Sequence, residues 1–146
     1  MRVPFVKRKI NILLIASALF AFLPACKKYP DGPLISFHSK AERVANAWKV
    51  GQALDNGNDV TSDYNKYYLN LLQGGGANLT AKYTVFGTDY EYYTNGRWSF
   101  VDDKNKISFD FDNDNADGVY QILKLEEDEM WLKKDGGTLE FHFVPQ

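Results

Sequence analysis

Residues able to carry out acid, base or metal chemistry are few in this sequence and widely scattered. The two histidines, His38 and His142, lie far apart, and no Cys/His cluster has the spacing of metal ligands. Neither histidine accompanies a Ser or Cys nucleophile with a positioned acid. The acidic pair Asp102 and Asp103 falls in a predicted turn, so hydrolysis lacks a mechanism. We therefore expect a protein that is not an enzyme and that carries no cofactor.

Three alternating aspartates, Asp110, Asp112 and Asp114, have the 1-3-5 spacing of a calcium loop. The sixth position is Asn115 rather than Gly and the twelfth is Gln121 rather than Glu, which excludes an EF-hand. A loose calcium contact and plain solvated turn residues are the interpretations that remain. We predict no metal site.

Cys26 is the single cysteine, and its position distinguishes it from a buried or disulfide-bonded thiol. Basic residues at positions 2 and 7–9 precede an apolar run, Ile10–Leu23, and a small-residue site before the cysteine. These are the three regions of an export signal. As a helix the apolar run is about 21 Å long, short of the ~30 Å hydrocarbon core, which disfavours a permanent transmembrane helix.

The tetrapeptide Leu23–Cys26 resembles the lipobox of bacterial lipoproteins. That resemblance implies a diacylglycerol thioether on Cys26, cleavage after residue 25 and acylation of the new amino terminus. Two or more acyl chains anchor a protein stably. The resemblance further implies the outer membrane of a Gram-negative bacterium, with the domain facing the periplasm and surface exposure as the alternative. An ordinary secretory signal that happens to end near a Cys is the competing interpretation.

The charge balance argues against nucleic-acid binding. Four of the 17 Lys and Arg residues precede Cys26, so the remainder carries 13 basic against 19 acidic residues, a formal charge of −6. An acidic surface without a basic stripe repels phosphate backbones. We expect the lipid anchor to provide the membrane contact.

Three segments follow from composition and pattern. Residues 1–25 form the signal peptide, 26–38 the lipidated cysteine with a Pro/Gly spacer, and 39–146 one folded domain. Ser39 and Glu42 match a capping box, which predicts a short helix over about Lys40–Ala47. A chance Ser-x-x-Glu is the alternative.

Short alternating runs separated by turn residues follow from Trp48 onward and predict an antiparallel meander. Asn56–Gly57 and Asn95–Gly96 are the dipeptides that type I′ hairpins require. Turns are also predicted at Asp102–Asn105, Asp112–Gly118 and Asp135–Gly137. The segment Tyr64–Leu72 suits both a helical stripe and a strand, and we predict an irregular strand or rim element followed by a mobile glycine loop.

Alternation identifies one continuous inner face of apolar residues. Its predicted members are Trp48, Val50, Tyr83, Val85, Trp98, Phe100, Ile107, Phe109, Phe111, Leu123, Leu125, Met130, Leu132, Leu139, Phe141 and Phe143. Seven or eight strands of this kind avoid open edges by closing. The predicted fold is all-β, a small antiparallel up-and-down barrel of about eight strands preceded by a short helix and a cleaved signal peptide, with a two-sheet sandwich as runner-up.

Several motifs together resemble the lipocalin-like lipoproteins of Bacteroidetes-type bacteria. They are the lipobox, the spacer Lys27–Pro33, the helix Ser39–Arg43, Trp48 opening the first strand, Gly96–Phe100 and Met130–Lys133. The resemblance covers nearly the whole chain and implies a lipocalin-like barrel. True lipocalins place Gly two residues before the first-strand Trp and an Arg in the last strand. Asn46 and a last strand without Arg depart from that pattern and put classical small-molecule transport in doubt.

Aromatic side chains on the predicted inner face are the candidate ligand contacts: Tyr83, Tyr92, Trp98, Phe100 and Phe109. Core packing is the alternative role for the same residues. One hypothesis is a non-enzymatic barrel that holds a small apolar or amphipathic ligand in its mouth. The other is a structural or accessory subunit that binds another envelope protein through exposed tyrosines near Tyr90–Tyr93, around a filled barrel interior.

Overall fold

The computed structural model describes residues 36–146, with the side chains of residues 83–85 excepted. The predicted signal peptide, the lipidation site Cys26 and most of the predicted spacer lie outside the described residues. The predicted folded domain lies within them. No helix in the described range is long and apolar enough to cross a membrane.

Helix α1 spans Lys40–Val44 and begins with the predicted capping box. The Ser39 hydroxyl accepts a 3.2 Å hydrogen bond from the Glu42 amide, and the Glu42 carboxylate accepts a 2.6 Å bond from the Ser39 amide. Hydrogen bonds from the Ser39 side chain and then from its amide lower the pKa of Glu42, because they stabilise the charged carboxylate. The helix ends earlier than predicted because Ala45 is extended and strand pairing with Asn70 already starts at Ala47.

Nine strands follow in the described range, and eight of them form the wall of a closed antiparallel barrel. They are β1 Ala47–Asp55, β2 Asn58–Asp59, β3 Tyr67–Leu71, β4 Gly76–Val85, β5 Thr88–Val101, β6 Lys106–Phe111, β7 Gly118–Leu125, β8 Met130–Lys134 and β9 Leu139–Pro145. Apart from the short β2, neighbours along the sheet are consecutive in sequence, and β9 pairs with β1 to close it. The two-residue β2 only folds back on the end of β1. The all-β barrel prediction is confirmed, and the sandwich is not formed.

One of the two predicted Asn-Gly hairpins is confirmed and the other is wrong. Asn56 and Gly57 form the β1–β2 turn with φ values of 50° and 81°. Asn95 and Gly96 lie inside the long strand β5, which is paired on both sides. A Cβ atom on Gly96 would lie 2.2 Å from the Asp110 carbonyl oxygen, so this glycine permits close backbone approach rather than a turn.

Two β-bulges shift the alternation of the inner face. Pairing slips between Val50 and Gln52 in β1 and between Ile122 and Lys124 in β7. Ile122 is buried as a result, whereas Leu123, predicted to face inward, lies at the bulge and is only half-buried. The other described members of the predicted inner face are buried or half-buried in one core.

Helix α1 closes one end of the barrel, which we call the floor. Trp48 is fully buried there, and its indole N–H donates a 2.9 Å hydrogen bond to the Val44 carbonyl. Val44, Leu125 and Met130 are fully buried beside it. The segment before the helix is held against the β7–β8 turn, because the Glu127 carboxylate contacts the Ser36 hydroxyl at 2.9 Å and His38 Nδ1 at 2.8 Å.

The opposite end, which we call the mouth, is surrounded by the β1–β3, β6–β7 and β8–β9 connections. Helix α2, Thr61–Tyr64, leads into β3 across this end, so the ambiguous segment combines a helical turn with a strand. A short 3-10 turn, Asp114–Ala116, lies in the β6–β7 connection. The β4–β5 hairpin extends past the mouth and turns at Phe86 and Gly87.

Candidate functional site

Three tyrosines from three different elements meet at the mouth around Phe141 of β9. Tyr64 of α2 packs edge-on against Phe141 with ring centroids 5.0 Å apart, and Tyr67 of β3 stacks on it at 6.0 Å. Tyr120 of β7 lies 6.4 Å from the same ring. Tyr64 and Tyr67 also contact one another edge-on at 5.9 Å. The mouth is therefore a built aromatic cluster rather than an open funnel.

Below this cluster the described side chains leave little space in the barrel interior. The cavity that they line admits the centre of a water-sized sphere over only about 20 Å³, which is space for roughly one water molecule. Its lining is apolar apart from two tyrosine hydroxyls: Tyr67, Leu69, Leu79, Phe109, Phe111, Ala116, Tyr120, Leu132, Phe141 and Phe143. An eight-stranded barrel of this size has just enough room for its own side chains. A ligand can therefore enter only at the mouth unless rings move.

Burial raises the pKa of two tyrosines of the mouth, Tyr67 and Tyr120. Burial raises the pKa of Tyr67 far above its ordinary value, and Tyr120, Tyr64 and Tyr92 raise it further. Burial also raises the pKa of Tyr120, with a smaller contribution from Tyr64. The hydroxyls of Tyr67 and Tyr120 therefore keep their protons to a higher pH than an exposed tyrosine does, and each can donate a hydrogen bond.

Tyr92 carries the one buried hydroxyl of the described barrel wall that has no hydrogen-bond partner. Its ring packs against the core from β5, close enough to Tyr67 to affect the pKa of that residue. A buried hydroxyl without a partner costs about 1–3 kcal/mol. Such a group is expected where a ligand or a water molecule completes the site.

Charges around the mouth are predominantly negative. The connections 55–66, 112–117 and 134–138 contain two lysines, Lys66 and Lys134, and Lys106 of β6 pairs with Asp135. The same connections contain seven aspartates: Asp55, Asp59, Asp63, Asp112, Asp114, Asp117 and Asp135. Hydrogen bonds from Thr61 lower the pKa of Asp59. The pKa of Asp135 is lowered mainly by a hydrogen bond from Gln121 and also by one from Lys106. Lys134 lies 5.7 Å from the centroid of the Tyr120 ring. This potential disfavours anionic ligands.

The structure divides four of the five predicted ligand contacts between the two ends of the barrel. Phe109 lines the cavity and Tyr92 lies near the mouth. Trp98 and Phe100 pack edge-on against each other toward the floor, and the Trp98 indole N–H donates a 2.8 Å hydrogen bond to the Leu72 carbonyl. The side chain of Tyr83 lies outside the described part of the chain.

Sequence reasoning missed Tyr64, Tyr67, Tyr120 and Phe141 as members of the site. The three-residue spacing of Tyr64 and Tyr67 was a usable signal, because it places both rings on one side where a helical turn enters a strand. Phe141 alternates with polar residues, which predicts an ordinary core position, and Tyr120 lies between Val119 and Gln121, where the alternation is not strict. Their convergence depends on the closed topology, which local sequence does not show.

The outward-facing His142 is less isolated than predicted. Its ring stacks on Trp131 at 4.0 Å, and its Nε2 lies 2.6 Å from Glu140. The aspartates of the calcium-like spacing diverge between strand β6 and the following turn. In the described residues, no three His, Cys, Asp or Glu side chains come together as a metal site.

The barrel resembles a solved structure of another protein. The crystal structure of a lipocalin-like protein from Bacteroides uniformis superposes with a TM-score of 0.53, over 71% of this chain and 99% of that one, at 13% identity. The fold is lipocalin-like. No family model matches the sequence, and no curated protein does either.

Trp48 of the first strand forms part of the floor of this lipocalin-like barrel. Trp48 is sealed by α1 and by its bond to the Val44 carbonyl rather than by an Arg from β9, which has none. Arg43 of α1 instead donates a 2.7 Å hydrogen bond to the His38 carbonyl. The floor is thus closed from the N-terminal side of the barrel.

Proposed function

We propose that this protein is a lipid-anchored envelope lipoprotein whose lipocalin-like domain, without enzymatic activity, binds a small apolar or amphipathic ligand at its mouth. The anchor is a lipid on Cys26 in the outer membrane of a Gram-negative bacterium, with the domain facing the periplasm. The support for the ligand site is the unpartnered, buried hydroxyl of Tyr92 beside the tyrosine cluster.

The size and charge of the mouth narrow the ligand. A filled interior leaves room for a head or ring that packs on Tyr67, Tyr120 and Phe141, not for a long buried chain. The acidic connections disfavour an anion. An uncharged ligand whose acceptor atom takes a hydrogen bond from Tyr92 satisfies each of these conditions.

Native mass spectrometry of the full chain, extracted from its own membrane, tests for a retained small molecule. Binding of the neutral fluorescent probe 6-propionyl-2-(dimethylamino)naphthalene, whose ketone oxygen can accept a hydrogen bond from Tyr92, then measures affinity, with a fluorescent fatty acid as the anionic comparison. We expect Tyr92→Phe to weaken neutral-probe binding by about tenfold, the loss of one hydrogen bond. The matched control is Tyr93→Phe, the neighbouring exposed tyrosine on the outer face. If no small molecule is retained and the probe does not bind, the proposed ligand site at the mouth is wrong.

The anchor is tested separately from the ligand. Radiolabelled palmitate should be incorporated into the wild-type chain and not into Cys26→Ser, and the wild type alone should partition into detergent. Membrane fractionation and protease accessibility of whole cells then report the membrane and its side. An unlabelled wild-type chain in a cell that acylates its other lipoproteins would contradict the anchor.

The exposed tip of the β4–β5 hairpin favours a second candidate function, docking of another envelope protein. Phe86 at the tip is fully exposed, and Tyr90 and Tyr93 on the same hairpin are also exposed. A filled interior beside exposed aromatic residues fits a subunit that binds a partner through its surface. Photo-crosslinking in living cells from position 86 should then capture one discrete partner. Position 72 at the floor, an exposed Leu in the wild type, is the control and should not capture it.

A further inference from the structure

A polar groove runs along the outside of the barrel where the β3–β4 turn passes beside β5 and β6. It has a volume of about 280 Å³ and opens to solvent. Its polar lining comes from Gly74, Gly75, Arg97, Ser99, Ser108 and Asp110. The groove lies toward the floor and is separate from the tyrosine cluster at the mouth.

The strand register arranges the four polar side chains as two facing pairs. Arg97 of β5 lies opposite Asp110 of β6, and Ser99 lies opposite Ser108. The two pairs are neighbours on the outer face, because successive outward residues of a strand are two positions apart. A cation, an anion and two hydroxyls therefore meet within one patch.

None of these four side chains has a hydrogen-bond or ion-pair partner within residues 36–146. Arg97 and Asp110 face one another across the strands without forming an ion pair, although opposite charges in that position ordinarily attract. Their donors and acceptors remain available. Charge-assisted hydrogen bonds to a ligand are the strongest that such groups can form.

The glycine turn forms a preformed wall of this groove. The Gly75 carbonyl accepts a 2.8 Å hydrogen bond from the Trp98 amide, and the Gly75 amide donates a 2.9 Å bond to the Leu72 carbonyl. The Trp98 indole bond to Leu72 adds a third tie. The glycine run is therefore a hydrogen-bonded turn that places no side chain of its own over the groove, and a ligand meets backbone there.

The outer face of β4 and β5 continues the groove toward the mouth with neutral polar groups. Asn78 donates a 2.5 Å hydrogen bond to Asn95, which also accepts one from the Tyr93 hydroxyl at 2.5 Å. The Tyr93 ring is 57% exposed. From Arg97 to Tyr93 the strand rises about 13 Å, enough to contact several units of a short linear ligand.

We propose that this face binds a neutral oligosaccharide. Adjacent sugar hydroxyls donate to Asp110 and accept from Arg97 at the same time, so an uncharged polyol satisfies both charges without adding one. The serine hydroxyls and glycine backbone contact further hydroxyls, and the C–H face of a sugar ring packs on Tyr93. A phosphate would be repelled by Asp110, and an ammonium group by Arg97.

Calorimetric titration of the full chain in detergent tests this site with tetramers of glucose, xylose, mannose and N-acetylglucosamine. At least one tetramer should bind in the millimolar range or tighter. Arg97→Met and the nearly isosteric Asp110→Asn should each weaken it about tenfold or more. Glu91 lies on the same strand as Arg97 and forms an ion pair with Lys82 of β4. Glu91→Gln, which breaks that ion pair, is the matched control and should leave affinity unchanged.

Amide and arginine Nε NMR spectra provide a readout that does not depend on any variant folding. The bound tetramer should shift the signals of Arg97, Ser99 and Ser108 and leave those of Tyr67 and Tyr120 in place. Failure of all four tetramers to bind, tighter binding of sulfated oligosaccharides, or shifts confined to the mouth would each overturn the assignment. The site is independent of the ligand proposed for the mouth, so either proposal can fail alone.

Discussion

Asn56 and Phe86 have the same backbone φ of 50° at two different hairpin tips, and each is followed by a glycine near 80°. Asn tolerates this left-handed conformation, whereas a bulky side chain is strained in it. Phe86 is in addition fully exposed to solvent. The chain thus carries an exposed ring at a position where Asn would be more stable.

Exchange of the two residue types should have opposite effects on stability. We expect Phe86→Asn to raise the free energy of unfolding by about 1 kcal/mol and Asn56→Phe to lower it by a similar amount. Urea denaturation at neutral pH measures both. If the Phe86→Asn variant is more stable and also no longer binds the partner captured by crosslinking, the strained ring of Phe86 contributes to docking of that partner. An unchanged or lowered stability would show that the ring makes contacts that the exposure does not suggest.

Gly96 should be intolerant of even one added methyl group. Its Cβ would lie 2.2 Å from the Asp110 carbonyl oxygen and 2.5 Å from Phe111 Cα, both in the backbone of β6. We expect Gly96→Ala to lower the free energy of unfolding by about 2 kcal/mol or more, since strand β6 must move. The control is Gly74→Ala, whose Cβ meets nothing within 4 Å and which should change stability little.

Replacement of the floor indole should weaken the barrel more than replacement of a surface indole. Trp48→Phe leaves the Val44 carbonyl without its donor and opens a space beneath the core. We expect a loss of about 2–4 kcal/mol from these two effects. Trp131→Phe, on the outer stack with His142, should cost less than about 1 kcal/mol. Thermal and chemical denaturation measure both variants. Equal losses of stability in Trp48→Phe and Trp131→Phe would contradict the importance of the floor.

Stability should fall at alkaline pH because of Tyr67. Its folded pKa is raised by burial, so the native chain keeps the proton above pH 10, where the unfolded chain releases it. This contribution is fully present below pH 10 and is lost as pH rises beyond it, at about 1.4 kcal/mol per pH unit. Urea denaturation from pH 8 to 11 should show a shallower decline for Tyr67→Phe. Parallel curves would mean that Tyr67 ionises freely in the folded protein.

Strict alternation in β6 and β9 was enough to predict the inner face there, because both strands are regular and flanked by clear turns. Where a bulge intervenes the pattern misleads, and Leu123 was predicted inward although Ile122 takes that place. The Asn95–Gly96 signal was overridden by pairing on both sides of β5. The true turn was missed because Phe86 is not a turn-forming residue.

The candidate site was only partly predictable for a related reason. Alternation specifies the face of a strand but not the height of a residue along the barrel, which depends on how the strands are staggered. Phe109 and Trp98, for example, pair directly in the β5–β6 register. Phe109 nevertheless lines the cavity near the mouth, whereas the Trp98 indole donates a hydrogen bond to Leu72 in the turn at the floor. The groove beside Arg97 was invisible to sequence because it requires the β3–β4 turn to pass next to β6.

Both ends of the described chain lie at the floor. Ser36 contacts Glu127 there, and Gln146 donates from its amide to the Ala47 carbonyl and from its side chain to the Trp48 carbonyl. A force applied between the two ends would accordingly separate β1 from β9 by breaking their hydrogen bonds one after another from the floor. The strands would unzip rather than shear, because both pulled ends lie at the same end of the pair. If the N-terminal end is the tethered one, a force that pulls the domain at its mouth acts first on the floor. The packing of α1 on Trp48 then resists the separation of β1 from the barrel.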